Sequence, residues 1–258
     1  MTNILVVGAT RGLGLALVKR YASLDSTSVY GTARSEPPLQ GSGSMNIKWV
    51  SGIDLTKSTC GTDLANQVKD ISFSTVFIVA GIFKLESFDD PGPNWDTEVA
   101  TYTTCAIAPP FILSALWKSG SLERGAKVVL ISSEAGSFKL QQAGGGGNYA
   151  HHASKSALNM VGLQLKYDLE PKGIAIMMAH PSFLRSEMTK GVGFDVAWDE
   201  NEALTPDEAA KLMGDWVDNE VDMSKTGQFW APRGTRDIGS WKEVMGGEHI
   251  KGPVQLPW

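Results

Sequence analysis

Ile4-Leu5-Val6-Val7-Gly8-Ala9-Thr10-Arg11-Gly12-Leu13-Gly14 stands at the front of the chain. Four apolar residues of strand length run into a G-x-x-x-G-x-G turn, and a helical stretch at residues 12–23 follows. Glycines let the backbone approach a pyrophosphate, and a helix amino terminus offers free N–H groups and the positive end of a dipole. Such a turn alone is a weak signal. Between a strand and a helix, at the start of an alternating pattern, it reads as a nucleotide cradle rather than a plain structural turn.

Beyond the turn, apolar runs of strand length alternate with helical stretches. Strands are predicted at 4–7, 29–33, 47–50, 75–80, 127–131, 174–179 and 227–230, and helices at 12–23, 57–69, 96–118, 150–169 and 206–220. The continuous hydrophobicity of the strand runs suits strands covered on both faces. The alternation predicts an α/β fold, a Rossmann-type doubly wound parallel sheet flanked by helices. No Pro/Gly/Ser-rich linker divides the 258 residues, so residues 1–258 read as a single domain. Glycine and proline gather only around Pro37, Pro38, Gly41 and Gly43 and in the run Gly144-Gly145-Gly146-Gly147. Residues 81–94 and 186–205 fit neither period. Both follow the carboxyl end of a strand, where open α/β sheets bind ligands, and both are candidate substrate loops.

Composition narrows the function. With 42% apolar residues the chain can bury a sizeable core, and its net charge of -5 without a basic cluster speaks against nucleic acid as a partner. Met1-Thr2-Asn3 leads straight into the first strand run, so neither a signal peptide nor a membrane span is expected. Cys60 and Cys105 form neither a disulfide framework nor a zinc motif, and His151, His152, His180 and His249 lack metal-ligand spacing. The expectation is a cytoplasmic protein in a reducing compartment, without a metal.

Charge also bears on the nucleotide. After the second strand, where NAD-binding folds place an acidic group on the ribose 2′-hydroxyl, the chain reads Tyr30-Gly31-Thr32-Ala33-Arg34. Arg34 at the strand end and Arg11 in the glycine turn can clasp a 2′-phosphate, which favours NADP(H) over NAD(H). The alternative for Arg34 is a solvated loop charge.

The glycine turn, Asp54-Leu55 after the third strand, Ala80-Gly81 after the fourth, Ile131-Ser132-Ser133 after the fifth, Ala153-Ser154-Lys155 and Pro181-Ser182 after the sixth occur in order across essentially the whole chain. Together they resemble the short-chain dehydrogenase/reductase family. Tyr149-Ala150, the Ala-Ser-Lys that follows, the preceding glycine run, His180-Pro181 and Leu256-Pro257-Trp258 resemble its C-factor-like carbonyl-reductase branch most. The resemblance implies that Gly8, Thr10, Arg11, Gly12, Leu13 and Gly14 hold the pyrophosphate and 2′-phosphate side, and that Asp54 and Leu55 contact the adenine. Ala80 and Gly81 would line the cofactor, with Val79 where the family has asparagine. Pro181, Leu184 and Ser186 would face the nicotinamide carboxamide, with Ser182 replacing a glycine. Ser133 matches the residue that hydrogen-bonds the substrate carbonyl, and Lys155 the one that binds the nicotinamide ribose.

The catalytic set departs from the family. Four residues before Lys155, where the family carries its proton-donating tyrosine, stands His151. Tyr149 is six before it, which on a helix lies roughly 240° around the axis from Lys155, so it does not simply substitute. The family's helix asparagine falls on Cys105, and a thiol is a weak donor and acceptor. An imidazolium could donate a proton, its unperturbed pKa being ~6.5, but Lys155 one turn away disfavours the charged ring. A neutral ring could act as a base or as an N–H donor that polarises a carbonyl.

Three readings follow. In the first, the protein is an NADPH-dependent reductase of a ketone, enone or imine in a hydrophobic small molecule, with His151, a water or the substrate as proton source. In the second, the scaffold runs a non-redox isomerisation, dehydration or cyclisation, with His151 as base and Ser133 as donor. In the third, it binds nucleotide without turnover. Retention of Ser133 and Lys155 favours an enzyme.

Among the remaining conspicuous residues, His152 reads as a surface or interface residue, His249 as a surface residue, His180 as structural, and Cys105 as a small buried residue, with a reactive thiol as the alternative. Tyr149 reads as a packing aromatic, with catalysis as the alternative. Trp95 could wall a pocket and Phe194 and Trp198 could form its lid, or each could be core packing. By resemblance, the helices at 96–118 and 150–169 pair copies into a homodimer or homotetramer.

Overall fold

Alternation along the strands decides which residues meet which layer of helices. In the computed structural model, which describes residues 2–38, 47–142 and 145–258, β1 (Thr2–Val7) sends Ile4 and Val6 to one face and Leu5 and Val7 to the other. Gly41, Gly43 and Gly144 lie outside the described residues. The sheet has eight strands in the order β3-β2-β1-β4-β5-β6-β7-β8, comprising β2 (Thr27–Thr32), β3 (Ile47–Val50), β4 (Phe73–Ile78), β5 (Leu122–Ile131), β6 (Ala175–Ala179), β7 (Phe229–Ala231) and β8 (Val254–Gln255). The first seven pair in parallel, and β8 closes the edge antiparallel to β7. A two-residue strand is too short for periodicity to register, so β8 is an addition to the predicted sheet.

One face of the sheet packs on α1 (Gly12–Ala22) and α7 (Pro206–Asn219), with Leu17, Phe77, Met177 and Trp216 between them. The other carries α2 (Cys60–Gln67), α4 (Ala108–Lys118) and α5 (Tyr149–Leu169), with Leu64, Ile112, Leu158 and Ile176 in the core. Each such fully buried aliphatic side chain contributes about 1.5–3 kcal/mol relative to exposure. The strand order reverses between β1 and β4, and the glycine turn and Ala80-Gly81 follow these two strands.

Two predicted boundaries are corrected. The helix expected at 96–118 is three pieces: α3 (Trp95–Tyr102), a π-helical turn (Thr103–Ile107) and α4. Pro109 and Pro110 bring no N–H to bond Cys105 and Ala106, and the ladder widens there, which apolar periodicity does not sense. By length and composition the run Trp95–Lys118 could cross a membrane, yet half of it is buried within the fold. Residues 186–205 hold a short helix, α6 (Glu187–Lys190), started by a Ser186/Thr189 capping box, and a 3-10 turn (Phe194–Ala197). Arg185 ties this segment to itself through Asp199 at 2.7 Å and the Ala203 carbonyl at 2.8 Å.

Candidate active site

The cofactor end is built from close backbone contacts. A side chain at Gly8 would strike Ala80 at 2.7 Å, and one at Gly14 would meet the Gly8 carbonyl oxygen at 2.0 Å, so these glycines let β1, β4 and α1 converge. At Gly12 (φ +52°) the same atom would enter open space. No side chain caps α1, leaving its first-turn N–H groups available to an anion. A cradle of bare backbone at an uncapped eleven-residue helix fits a dinucleotide pyrophosphate. Thr10 borders this turn, and buried Leu13 anchors it to the core. Arg11 and Arg34 are exposed. Asp54 bonds the Thr56 amide at 3.0 Å, which, followed by the Thr56 hydroxyl and Arg34, holds its carboxyl below the usual range. Leu55 is buried beside it.

The chemical end is a turn latched to a helix. Ser133 caps a 3-10 turn (Glu134–Gly136) after β5. A Cβ on Gly136 would lie 2.7 Å from the Lys155 carbonyl carbon, so turn and helix touch backbone to backbone. Ser132 Oγ donates to Asn159 Oδ1 at 2.6 Å, and Ser156 Oγ to the Gly136 carbonyl at 2.9 Å, which fixes the relative placement. Lys155 is buried and its Nζ donates to the Ile131 carbonyl at 2.7 Å. Gly81 brings in the third element: its missing Cβ would sit 3.6 Å from Lys155 Nζ and 3.7 Å from Cys105 Sγ. Lys155, Cys105 and the end of β4 thus meet around Gly81, and Ser133 heads the turn that is latched to α5.

His151 lies on α5 under Phe83, ring centroids 4.3 Å apart, with its Nδ1 buried and without a hydrogen-bond partner among the described residues. Burial first, then the charges of Lys155 and His152, push its pKa down to about 3. The ring is neutral at pH 7, and donation from an imidazolium is thereby removed from its roles. Phe194 from the 3-10 turn meets Phe83 at 5.7 Å and Phe183 at 6.4 Å, so the two segments 81–94 and 186–205 close an aromatic roof over the ring. The start of α5 is set by Glu86, whose Oε2 accepts from the Ala150 amide at 2.8 Å and whose carbonyl accepts from Asn148 at 3.3 Å.

A second set of charges sits beside Ser133. Its hydroxyl donates to Glu134 Oε2 at 2.7 Å, and the same oxygen is 2.7 Å from His180 Nδ1. The Glu134 amide also points at Nδ1, at 3.2 Å, but that nitrogen cannot both accept there and donate to the carboxylate. The shorter, charge-assisted contact governs, which places the proton on Nδ1. His180 Nε2 faces Asp237 Oδ2 at 3.6 Å. Burial opposes the charged ring, yet Glu134 and Asp237 on its two sides raise His180 to about 10. Burial likewise opposes the charge of Glu134, and His180 outweighs it and holds the carboxyl low.

The description short chain dehydrogenase matches residues 2–196. The chain belongs to the short-chain dehydrogenase family. With that family it stands among the oxidoreductase enzymes. It is 27% identical over 238 residues to a 1-hydroxy-2-glutathionyl-2-methyl-3-butene dehydrogenase of Rhodococcus sp. (strain AD45), covering 91% of this chain and 98% of that one. It is 25% identical to an uncharacterized oxidoreductase of Saccharomyces cerevisiae, covering 90% and 96%. Among solved structures, the NADPH-bound carbonyl reductase from chicken fatty liver superposes with a TM-score of 0.73 at 23% identity, covering 90% of this chain and 96% of that one. That likeness concerns the fold.

Several side chains of this short-chain dehydrogenase differ from expectation. Trp95 is 79% exposed and so is not core packing. Phe194 joins the roof, whereas Trp198 packs on Arg185 within its own segment. Ser186 uses its hydroxyl to cap α6, Leu184 is buried, and Pro181 is half-buried. Ser182 holds φ +77°, the left-handed conformation that explains why the family has glycine there. His152 is half-buried, 5.5 Å from His151, and His249 is half-buried near Thr235, so neither is a plain surface residue. Glu134, Asp237, Phe83 and Glu86 went unnoticed in the sequence. Only Glu134, a carboxylate directly after the serine pair, left a signal.

Proposed function

We propose that this chain reduces the C=O or C=N bond of a hydrophobic ketone, enone or imine with NADPH, through an atypical Ser133–His151–Lys155 site. The observation that carries this is the convergence of Ser133, buried Lys155 and the neutral His151 ring at the same sheet end as the open glycine cradle. NADP(H), when bound, supplies the hydride. Gly8, Thr10, Arg11, Gly12, Leu13 and Gly14 would hold its pyrophosphate, Arg11 and Arg34 its 2′-phosphate, and Asp54 and Leu55 its adenine. Ala80, Gly81, Pro181, Leu184 and Ser186 would line its nicotinamide half, and Lys155 would bind the ribose. Several related structures are NADPH- or NADP-bound, which supports the choice.

Neutral His151 keeps one N–H and polarises the substrate oxygen without giving up a proton. The Phe83–Phe194 roof favours an apolar substrate and excludes water from the reacting carbon. Outward-facing Ile107, Phe111, Met160 and Tyr167 on the π-helical turn, α4 and α5 support assembly into a homodimer or homotetramer, checked by sedimentation.

The test is purified protein with NADPH and a panel of apolar carbonyls, following loss of reduced-nicotinamide absorbance. Product formed without nucleotide consumption would instead establish the non-redox alternative, in which neutral His151 is a base. His151→Phe is expected to lower kcat by roughly 10²–10³, as loss of one oxyanion donor does. Full retention of activity removes the ring from the mechanism.

A further inference from the structure

Reduction needs a proton as well as a hydride, and the following rests on the reductase function just given. His151, held neutral, does not supply it. Behind Ser133 runs a line of polar contacts: Ser133 Oγ to Glu134 Oε2 at 2.7 Å and that oxygen to His180 Nδ1 at 2.7 Å, while Asp237 Oδ2 stands 3.6 Å from His180 Nε2, at ion-pair distance without a hydrogen bond. We propose that Glu134 and His180, backed by Asp237, form a proton relay whose acid is the His180 imidazolium and whose delivery point is the Ser133 hydroxyl.

Three features point this way. The Ser133 hydrogen is already committed to Glu134, so the serine can protonate a substrate only if Glu134 returns a proton to Oγ. The imidazolium is 4% exposed and flanked by two carboxylates, an arrangement that costs desolvation and is weak evidence for stability by itself. Glu134 is exposed over 33% of its side chain and gives solvent a route to reload the ring, which His180 alone lacks.

The step balances. The carbonyl carbon receives hydride from the reduced nicotinamide dinucleotide and the C=O π bond breaks. Its oxygen takes the Ser133 hydroxyl proton, Oγ takes one from Glu134 Oε2, and Oε2 takes the Nδ1 proton of His180. Ser133 and Glu134 end as they began, His180 ends neutral, and a solvent proton returns through Glu134. Facing the ring are Glu134 from the turn after β5 and Asp237 from the segment after β7; Arg233 Nη1 lies 3.8 Å from Asp237. From α5, the titratable rings of His151 and His152 face Glu134.

Glu134→Gln keeps shape and an acceptor oxygen but cannot pass a proton. It is expected to lower kcat for carbonyl reduction by about 10²–10⁴ with KM and NADPH affinity unchanged, and to alter the solvent deuterium isotope effect. In the wild type kcat should stay flat through neutrality and fall as pH rises through about 10, where His180 loses its charge. Independently of turnover, ¹⁵N-histidine NMR should show His180 protonated at pH 8, and its titration should drop toward the free value in Glu134→Gln. Unchanged kcat in that variant overturns the relay while leaving the reductase standing. Parallel loss of kcat, KM, nucleotide binding and melting temperature also overturns it, since that is what a structural bracket gives. Titration of His180 indifferent to Glu134 also overturns the relay, whereas a wild type that never consumes NADPH overturns the reductase function and, with it, the relay that rests on it.

Discussion

His151 shows how one neighbourhood can convert a residue's chemistry. Its folded pKa of about 3 lies below the unfolded ~6.5, so the unfolded chain binds the extra proton, and stability must fall as pH drops below 6.5. The expected slope is about 1.4 kcal/mol per pH unit down to the folded pKa. Urea midpoints between pH 7 and pH 4 should show this limb in the wild type and a shallower one in His151→Gln; identical limbs would refute the assignment. His180 has the opposite sign. Its raised pKa contributes stability in full below ~6.5 and loses it as pH rises through about 10, while lowered Glu134 contributes above its unfolded value and loses it in acid. The stability maximum should therefore lie at about pH 6.5, below the range in which His180 loses its contribution and above the range in which His151 does. Ser182 offers a simpler check: at φ +77° a serine is strained, and Ser182→Gly should stabilise by about 1 kcal/mol, some 2 °C in Tm, by calorimetry.

At the level of elements, α5 carries the reacting groups and depends on a distant carboxylate for its start. Glu86→Ala removes the acceptor for the Ala150 amide and should cost about 1–2 kcal/mol, with hydrogen exchange accelerating at Ala150 and His151 before the rest of α5. Glu86→Gln keeps an acceptor and should lose less; equal loss would show that the cap is unimportant. Ser133 and Lys155 were legible because each belongs to a local pattern attached to a strand end or a helix. The ion network was not, because Glu134, His180 and Asp237 come from three separate segments that meet only once the ends of β5 and β6 are side by side. The depressed basicity of His151 was legible only in part. Lys155 one turn away was visible, whereas burial under Phe83, the larger cause, belongs to tertiary packing.

For the molecule as a whole, the doubly wound order could be read from the strand runs because parallel strands covered on both faces are apolar throughout. The antiparallel β8 could not, since two residues carry no period. The proposed 2′-phosphate role of Arg34 is tested at this scale: Arg34→Asp is expected to weaken NADPH binding roughly 10- to 100-fold while sparing NADH, measured by fluorescence titration, and equal loss for both would discard that role. The widened turn Thr103–Ile107 has its own consequence for how this chain can change length. Such a turn absorbs one surplus residue locally. Excising that residue would not restore regular helix, because Pro109 and Pro110 have no N–H to give and each ring would press on the carbonyl four residues back. The bend is thus written into the chain by its two prolines, and shortening there would burden folding just as it would in the middle of α1, where everything beyond the cut would swing by about 100°.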